Sequence, residues 1–341
     1  MAPLERRTLL AGLGLAGSSL LAGAAKAGDL NPPPGPIGPT MKRLDQVEPR
    51  TPVQTLSGSA NSLYVVQEPG AYYLTADILG QPGMNGLEIA CDDVTVDLCG
   101  FSIVGGLYSI SGIAATYAWR RITIHNGRVI GWRTHGIDLG QSTECIVERV
   151  QVAQNGHIGI KVGPAGFVHL CTIRECMEMG INAGLRSQVS HCRTVDCTTG
   201  VRAAGGSMIQ ACVAASSNGI GFELIDTGSC AQDCSSVQCA TGFACDANAT
   251  IRTSAAVNCS VAGFHVRAAR NVIRECQAMG GGKGFYVTGT SNLLLRNAAS
   301  GNGQDYSIAA GNSYGPLVSV AGVGDVSAVA AASHPWANFI Y

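Results

Sequence analysis

The 341-residue chain has little charge and very little lysine. Charged residues make up 13% of it, and lysine occurs four times against 18 arginines. A formal net charge of −1 leaves no basic surface that could gain energy by releasing counterions from phosphates, which argues against nucleic-acid binding. Disorder is also excluded, because 46% of the residues are hydrophobic.

Helical periodicity and several catalytic signatures are missing as well. The sequence has no Gly-x-Ser-x-Gly elbow, no Walker phosphate loop and no His-Glu-x-x-His pair. Fourteen cysteines are present, yet none has the paired spacing of a zinc site. Some cysteines recur at repeat spacing, which predicts free thiols stacked inside a repeat protein rather than a disulfide scaffold. These are Cys171, Cys192 and Cys212 in one set and Cys176 and Cys197 in another.

Glycine is abundant, with 45 residues, and it marks an internal repeat. A glycine followed by an apolar residue recurs every 20 or 21 positions at Gly159-Ile160, Gly180-Ile181, Gly200-Val201, Gly221-Phe222, Gly242-Phe243, Gly263-Phe264 and Gly284-Phe285. Looser members precede these at Gly86, Gly112 and Gly136, and Asp305 takes the slot after them. About nine residues later each unit has a second apolar position, at Val168, Val189, Ile209, Cys230, Ile251, Val272 and Leu293.

Short strands repeated at this interval predict an all-β fold, a right-handed single-stranded parallel β-helix of about ten coils with a cap at each end. One coil cannot bury its apolar face, but stacked coils place the residues from Ile160 to Phe285 above one another as an interior ladder. The preceding glycine suits a corner that requires either a positive φ or a close backbone approach.

Five segments follow from this pattern. Residues 1–27 are predicted to be a signal peptide, since Arg6-Arg7 precedes an apolar stretch and a small-x-small cleavage pattern. The twin arginine favours export of the folded protein, with an ordinary secretory signal as the alternative, and either route predicts a periplasmic or extracellular location without a membrane span after cleavage. Residues 28–50 form a proline-rich flexible segment, 51–79 an N-terminal cap, 80–312 the β-helix and 313–341 a C-terminal cap.

The motifs resemble those of a known group. Residues 70–75 (GAYYLT), residues 93–101 (DVTVDLCGF), the glycine-apolar coils and residues 334–339 (HPWANF) are similar to exported bacterial right-handed β-helix repeat proteins of the pectate-lyase-like superfamily. That resemblance covers nearly all of the mature chain. It implies the fold, whereas activity varies across the group from polysaccharide lyases and hydrolases to adhesins.

A polysaccharide hydrolase of this kind needs carboxyl groups on neighbouring coils, and no such set occurs in register. A calcium-dependent lyase needs converging carboxylates. Glu175 and Asp196 share a repeat position and face outward, which makes them the calcium candidates. The alternative is a surface ion-pair ladder with the nearby arginines Arg174 and Arg193.

An outward polar strip follows each coil glycine by two positions. It predicts a sugar-binding surface, with a merely solvated face as the alternative. Its members are Asp138, Lys161, Asn182, Arg202, Glu223, Ala244, His265 and Tyr286, of which Tyr286 is predicted to stack on a sugar ring.

The run from His125 to Asp138 holds the densest set of reactive groups. In a uronate lyase, Arg128 or Arg133 would neutralise the substrate carboxylate, His135 would accept the proton beside Asp138, and Trp132 would form a sugar platform. The alternative is a long loop in which these residues serve structure. The sequence thus predicts an exported protein that binds, and in the lyase hypothesis cleaves, an extracellular polysaccharide. The competing hypothesis is a non-catalytic structural or adhesion module.

Overall fold

A computed structural model describes residues 50–341. The predicted signal peptide and residues 28–49 of the proline-rich segment lie outside this range. Within it the chain is a parallel β-solenoid with three strand positions per coil, here called ladders 1, 2 and 3 in chain order. Helical structure among these residues is limited to single 3-10 turns at Val53–Thr55 and Val326–Ala328.

Ladder 1 is a sheet of twelve parallel strands, slightly more than the coil number expected from the glycine pattern. Its strands are β2 (Ser62–Val66), β5 (Asn85–Ile89), β8 (Ile113–Ala114), β10 (Ile137–Leu139), β12 (Ile158–Val162), β15 (Met179–Ala183), β18 (Thr199–Ala203), β21 (Ile220–Leu224), β24 (Thr241–Cys245), β27 (Ala262–Val266), β30 (Lys283–Val287) and β33 (Gln304–Ile308).

Ladders 2 and 3 are joined because two long strands, β9 (Ile122–Ile130) and β11 (Ile146–Ala153), pass through both. The other strands of ladder 2 are β1 (Arg50–Pro52), β3 (Gly70–Tyr73), β6 (Val94–Asp97), β13 (Phe167–His169), β16 (Gln188–Ser190), β19 (Met208–Gln210), β22 (Cys230–Gln232), β25 (Thr250–Arg252), β28 (Val272–Arg274), β31 (Leu293–Leu295) and β34 (Ser313–Tyr314). Those of ladder 3 are β4 (Ile78–Leu79), β7 (Ser102–Val104), β14 (Thr172–Arg174), β17 (Arg193–Val195), β20 (Val213–Ala215), β23 (Ser235–Val237), β26 (Ala255–Val257), β29 (Gln277–Met279), β32 (Ala298–Ser300) and β36 (Asn338–Ile340), which also pairs with β35 (Leu317–Ser319).

The interior ladder predicted from the glycine spacing is confirmed. Ile160 pairs with Ile181, and the register continues without a slip to Phe285. All seven side chains are fully buried. The rings of Phe222, Phe243, Phe264 and Phe285 stack with centroids 4.9 Å apart, and Tyr306 continues the stack at 5.0 Å.

The second apolar position was predicted wrongly in three coils. Val168, Val189, Ile209 and Ile251 face the core, but the register places Ala231, Ile273 and Leu294 in line with them. Cys230, Val272 and Leu293 therefore point outward. The turn after ladder 1 is one residue longer in these coils. A residue at the same count from the coil glycine therefore points to the opposite face of the strand.

The coil corners carry positive φ, but the coil glycines do not. Left-handed residues such as Leu170, Glu175 and Arg186 occupy the three corners of one coil. The glycines are instead required by close packing: a Cβ on Gly159 would lie 2.7 Å from the carbonyl oxygen of Gly180 and 2.6 Å from Ile173. Of the two reasons expected for glycine, only the close backbone approach applies.

Most left-handed corner residues are followed by a small side chain that faces inward. Ten of the fourteen cysteines occupy these positions: Cys171, Cys192 and Cys212 stack in one corner and Cys176 and Cys197 in another, as predicted, and all fourteen thiols are free. Asparagine and serine take the same positions in other coils, where they accept corner N–H groups, as Asn297 does from Cys276 at 3.0 Å. The stacked asparagine and serine side chains thus accept hydrogen bonds from backbone N–H groups that would otherwise have no partner in the turns.

The two segments predicted as caps also contribute strands. Residues 51–79 contain β2 and β3, which pair in register with β5 and β6. At the other end β36 pairs with β32, and the Arg296 guanidinium lies over the Trp336 ring at 5.0 Å. Among the described residues no helix has the length and apolarity of a membrane span.

Candidate functional site

The outer face of ladder 1 carries the predicted strip in an unbroken register, in which the buried Ala244 is the one apolar member. Asp138 pairs with Lys161, and the register passes through Asn182, Arg202, Glu223, Ala244 and His265 to Tyr286. Successive members lie ~4.8 Å apart along the solenoid, which is the spacing of hydrogen-bonded strands. The predicted arrangement of this surface is therefore present, and its role as a binding site stays a prediction.

Charges along the strip are paired with one another. At the N-terminal end the Lys161 ammonium lies 3.5 Å from a carboxylate oxygen of Asp138. Farther along, Glu223 is only 8% exposed and lies between two guanidinium groups, those of Arg202 at 3.1 Å and Arg267 at 3.0 Å. Arg267 also contacts Asp246 at 3.2 Å. Because a buried carboxylate needs cationic partners, this cluster fixes side chains on four neighbouring coils.

An aromatic pair follows at the C-terminal end of the strip. The rings of His265 and Tyr286 stack with centroids 4.7 Å apart, and the ammonium of Lys283 lies 3.6 Å from the Tyr286 centroid. The His265 ring is so close to Tyr286 that the Lys283 ammonium has no room on the same side. His265 and Lys283 therefore cover opposite faces of the Tyr286 ring. Tyr286 therefore offers its edge and hydroxyl, rather than an open ring face, to a ligand in this structure.

His135 lies beside the strip in a fixed tautomer. The Ile158 N–H donates to its Nδ1 at 3.3 Å, so the ring proton is on Nε2, which lies 3.6 Å from Asp138. Burial lowers the pKa of His135, and the charge of Asp138 opposes that shift only in part. The imidazole is therefore neutral at pH 7, and its one lone pair already accepts a hydrogen bond. The ring of His157 lies 5.8 Å away, and its Nδ1 is 3.4 Å from Glu178.

The other residues of the predicted catalytic run do not converge on His135. Arg128 lies on ladder 3, where it pairs with Ser102 and donates to the Gly100 carbonyl, so it belongs to a different face. Trp132 is 1% exposed, and its Nε1 donates to the carbonyl of Ile103 at 3.1 Å. The sugar platform predicted for Trp132 was wrong, because this indole fills the core between glycines. Arg133 is exposed at the corner before ladder 1.

The calcium candidates do not belong to a cluster of metal ligands among the described residues. Glu175 and Asp196 occupy equivalent exposed corners with φ of 55° and 53°. However, Glu175 accepts from Gln154 at 2.8 Å and lies 3.4 Å from Arg174. Nowhere in residues 50–341 do three or more histidine, cysteine, aspartate or glutamate side chains form a group able to hold a metal ion. The ion-pair alternative therefore describes Glu175 better.

Several groups beside the strip were missed by the sequence analysis. Asp246 and Arg267 both lie four positions after a coil glycine, and Lys283 immediately precedes one. These offsets define further outward columns next to the strip. A search of every outward repeat position, rather than one, would have identified them.

Two grooves flank ladder 1. One, of about 340 Å³, lies at the corner with ladder 2 and is lined by Lys161, Asn182, Leu185 and Asp226 among others. The second, of about 500 Å³, lies at the corner with ladder 3 and is lined in part by Tyr108, Arg133 and His157. The strip is thus the floor of a broader surface with concave edges on both sides.

Comparisons with known proteins support the fold. No protein-family model and no curated protein matches the sequence. Among solved structures, the Agl-KA catalytic domain is similar with a TM-score of 0.51 at 10% identity, over 77% of this chain and 59% of that chain. Pectate lyase Pel9A gives 0.45 at 10% identity over 74% and 70%, and PfbA, a surface adhesin of Streptococcus pneumoniae, gives 0.40 at 8% identity over 78% and 92%. At such identities the likeness concerns architecture alone, and the chain takes its place among parallel β-solenoid proteins.

Proposed function

We propose that the protein binds an extended extracellular polysaccharide along the outer face of ladder 1. The observation that carries this proposal is the column of outward side chains from Asp138 to Tyr286, which stands in strict register over eight coils and has a hydrogen-bonding side chain in every coil except that of the buried Ala244. A polymer of sugar rings also repeats its hydroxyl groups at short, regular intervals. A rigid column of donors and acceptors can therefore bind several successive sugars without first being ordered.

The geometry favours binding over cleavage. Glycoside hydrolysis needs one carboxylic acid that keeps its proton and a second carboxylate opposite it. In the strip, Asp138 is paired with Lys161 and Glu223 with two arginines, so both carboxyl groups are held in ion pairs within the protein. His135 has no unoccupied lone pair with which to take a proton from a uronate. The proposal is consequently a non-catalytic glycan-binding protein.

Location outside the cytoplasm is part of the proposal. It rests on the twin-arginine leader predicted at residues 1–27. The free thiols agree with folding in a reducing compartment before export, since a folded solenoid hides its stacked cysteines from oxidants. Fusing residues 1–27 to a reporter and locating it in cells that lack twin-arginine translocation tests this part directly.

Isothermal titration with a panel of neutral and uronate polysaccharides tests the binding. Arg202→Gln removes a strip cation while Glu223 keeps Arg267, so the fold is preserved. We expect this variant to lose about 10-fold in affinity, the effect of one hydrogen bond to a charged group. Arg274→Gln on the exposed face of ladder 2 is the matched control and should bind normally. If no polymer binds, the protein is the structural module instead, and equal losses of affinity in the two variants would show that the polymer does not bind at the strip.

A further inference from the structure

The groove between ladders 3 and 1 has one apolar wall and one polar wall. Leu107, Tyr108 and Met177 form the apolar side, and Arg133, Gln154 and His157 form the polar side. The exposed fractions of the apolar residues are 75%, 61% and 78% respectively. Large apolar side chains exposed together on a soluble protein mark a binding surface.

Tyr108 is held in this groove at a conformational cost. It lies in a turn closed by the Ser109 N–H donating to the Gly106 carbonyl, and its φ is 61°. Glycine or asparagine usually takes such a position, and a bulky residue there is strained. Unlike the left-handed corner residues of the regular coils, Tyr108 belongs to the longer connection of residues 105–112. Its ring gains little from burial, so the fold alone does not account for a tyrosine at this position.

The polar wall supplies donors around the edge of the ring. The Arg133 guanidinium lies over one face of the Tyr108 ring, 6.0 Å from its centroid, and since the tyrosine is 61% exposed the opposite face is the one offered to a ligand. Gln154 and His157 line the same wall and are held by Glu175 and Glu178. An aromatic face bordered by hydrogen-bonding groups suits a pyranose, which has an apolar face and hydroxyl groups at its edge.

The groove is continuous with the strip. His157 lines the groove, its ring is 5.8 Å from that of His135, and His135 is 3.6 Å from Asp138 at the N-terminal end of the strip. A sugar in the groove can therefore belong to the same polymer that lies on ladder 1.

We propose that this groove is a subsite for a pyranose that carries a methyl group, as an N-acetyl sugar or a deoxyhexose does. The ring stacks on Tyr108, its hydroxyls bond Arg133 and Gln154, and its methyl group contacts Leu107 and Met177. A hexose without the methyl group leaves those two side chains exposed to water, and so it binds more weakly. This subsite rests on the proposed function and names the kind of sugar that the bound polymer contains.

Saturation-transfer NMR with simple glycosides tests the subsite. The probes are the 2-hydroxyethyl glycosides of N-acetyl-D-glucosamine and L-fucose, with those of D-glucose and L-galactose as the matched hexoses that lack the methyl group. We expect transfer to one of the first pair, concentrated on its methyl protons, and at least a several-fold weaker signal from its parent hexose. Which of the pair responds identifies the source of the methyl group.

Two variants locate the signal. Tyr108→Gly removes the platform and relieves the strained φ, so it should abolish the transfer while the protein melts at an equal or higher temperature. Ser291→Gly relieves an exposed corner with a φ of 58° far from the groove and should keep the full signal. Met177→Gln should reduce the preference for the methyl-bearing sugar while retaining the parent hexose.

The proposal is overturned if neither methyl-bearing glycoside gives transfer, if each parent hexose gives an equal signal, or if Tyr108→Gly leaves the signal unchanged. These outcomes are distinct from failure of the proposed function. A polysaccharide that binds wild-type protein and loses affinity in Arg202→Gln would still establish the strip, even where the groove takes no sugar.

Discussion

Truncating one ring of the phenylalanine stack tests the solenoid interior. The Phe243 side chain is fully buried and lies between Phe222 and Phe264, with centroids 4.9 Å from each and interplanar angles of 16° and 5°. Phe243→Ala removes both stacking contacts and leaves a cavity between rigid strands that cannot collapse into it. We expect the free energy of unfolding to fall by about 3–5 kcal/mol, as for phenylalanine truncations in other packed cores.

Urea unfolding followed by circular dichroism measures this loss. Val261→Ala in the adjoining coil is the control, because that side chain is 55% exposed and its truncation should change stability by less than about 0.5 kcal/mol. Since each coil contacts only its neighbours, the variant should also unfold over a broader range as the two halves uncouple. A loss below about 1 kcal/mol with an unchanged transition would refute the stacked interior.

Three further predictions follow from the same geometry. Gly242→Ala would place a Cβ 2.5 Å from the Gly263 carbonyl and should cost about 1–3 kcal/mol in urea unfolding, whereas Gly324→Ala, with nothing within 4 Å, should be neutral. Burial lowers the pKa of His135, so the unfolded chain binds more protons and stability should fall as the pH drops through about 6.5; His135→Gln should flatten this dependence, and an unchanged slope would contradict the assignment. Under native conditions a thiol reagent should modify Cys99 first and the half-buried Cys230 slowly, and all fourteen thiols only in denaturant; rapid modification of Cys212 would contradict its burial.

The repeat made much of the fold and of the strip predictable. Because every coil bends the backbone in the same way, residues at a fixed offset from the glycine must stack, whatever their identity. Ile160 and Phe285 are therefore predictable as core residues, and Lys161 and Tyr286 as members of one outward column. The buried cysteines follow from the same argument, since a position that recurs at the coil period keeps its environment.

The predictions from the repeat were wrong or incomplete where coils differ in turn length, or where a side chain contacts residues beyond its own coil. One extra residue after ladder 1 was enough to turn Cys230 outward. Trp132 enters the core because glycines on neighbouring coils leave space for an indole, a feature that depends on three segments at once. The contact of Arg267 with Glu223 joins residues 44 positions apart, and Lys283 covers Tyr286 through a side-chain conformation that no spacing rule predicts.

Oxidative footprinting of the protein with and without a polysaccharide that binds it is the most direct test of the proposed surface. Hydroxyl radicals modify exposed aromatic, histidine and sulfur-containing side chains, and mass spectrometry locates each modification. We predict that the bound polymer protects His265 and Tyr286 on ladder 1, while Phe167 and Met208 on the outer face of ladder 2 are modified as before. Protection of ladder 2 with no change at His265 and Tyr286 would contradict the account.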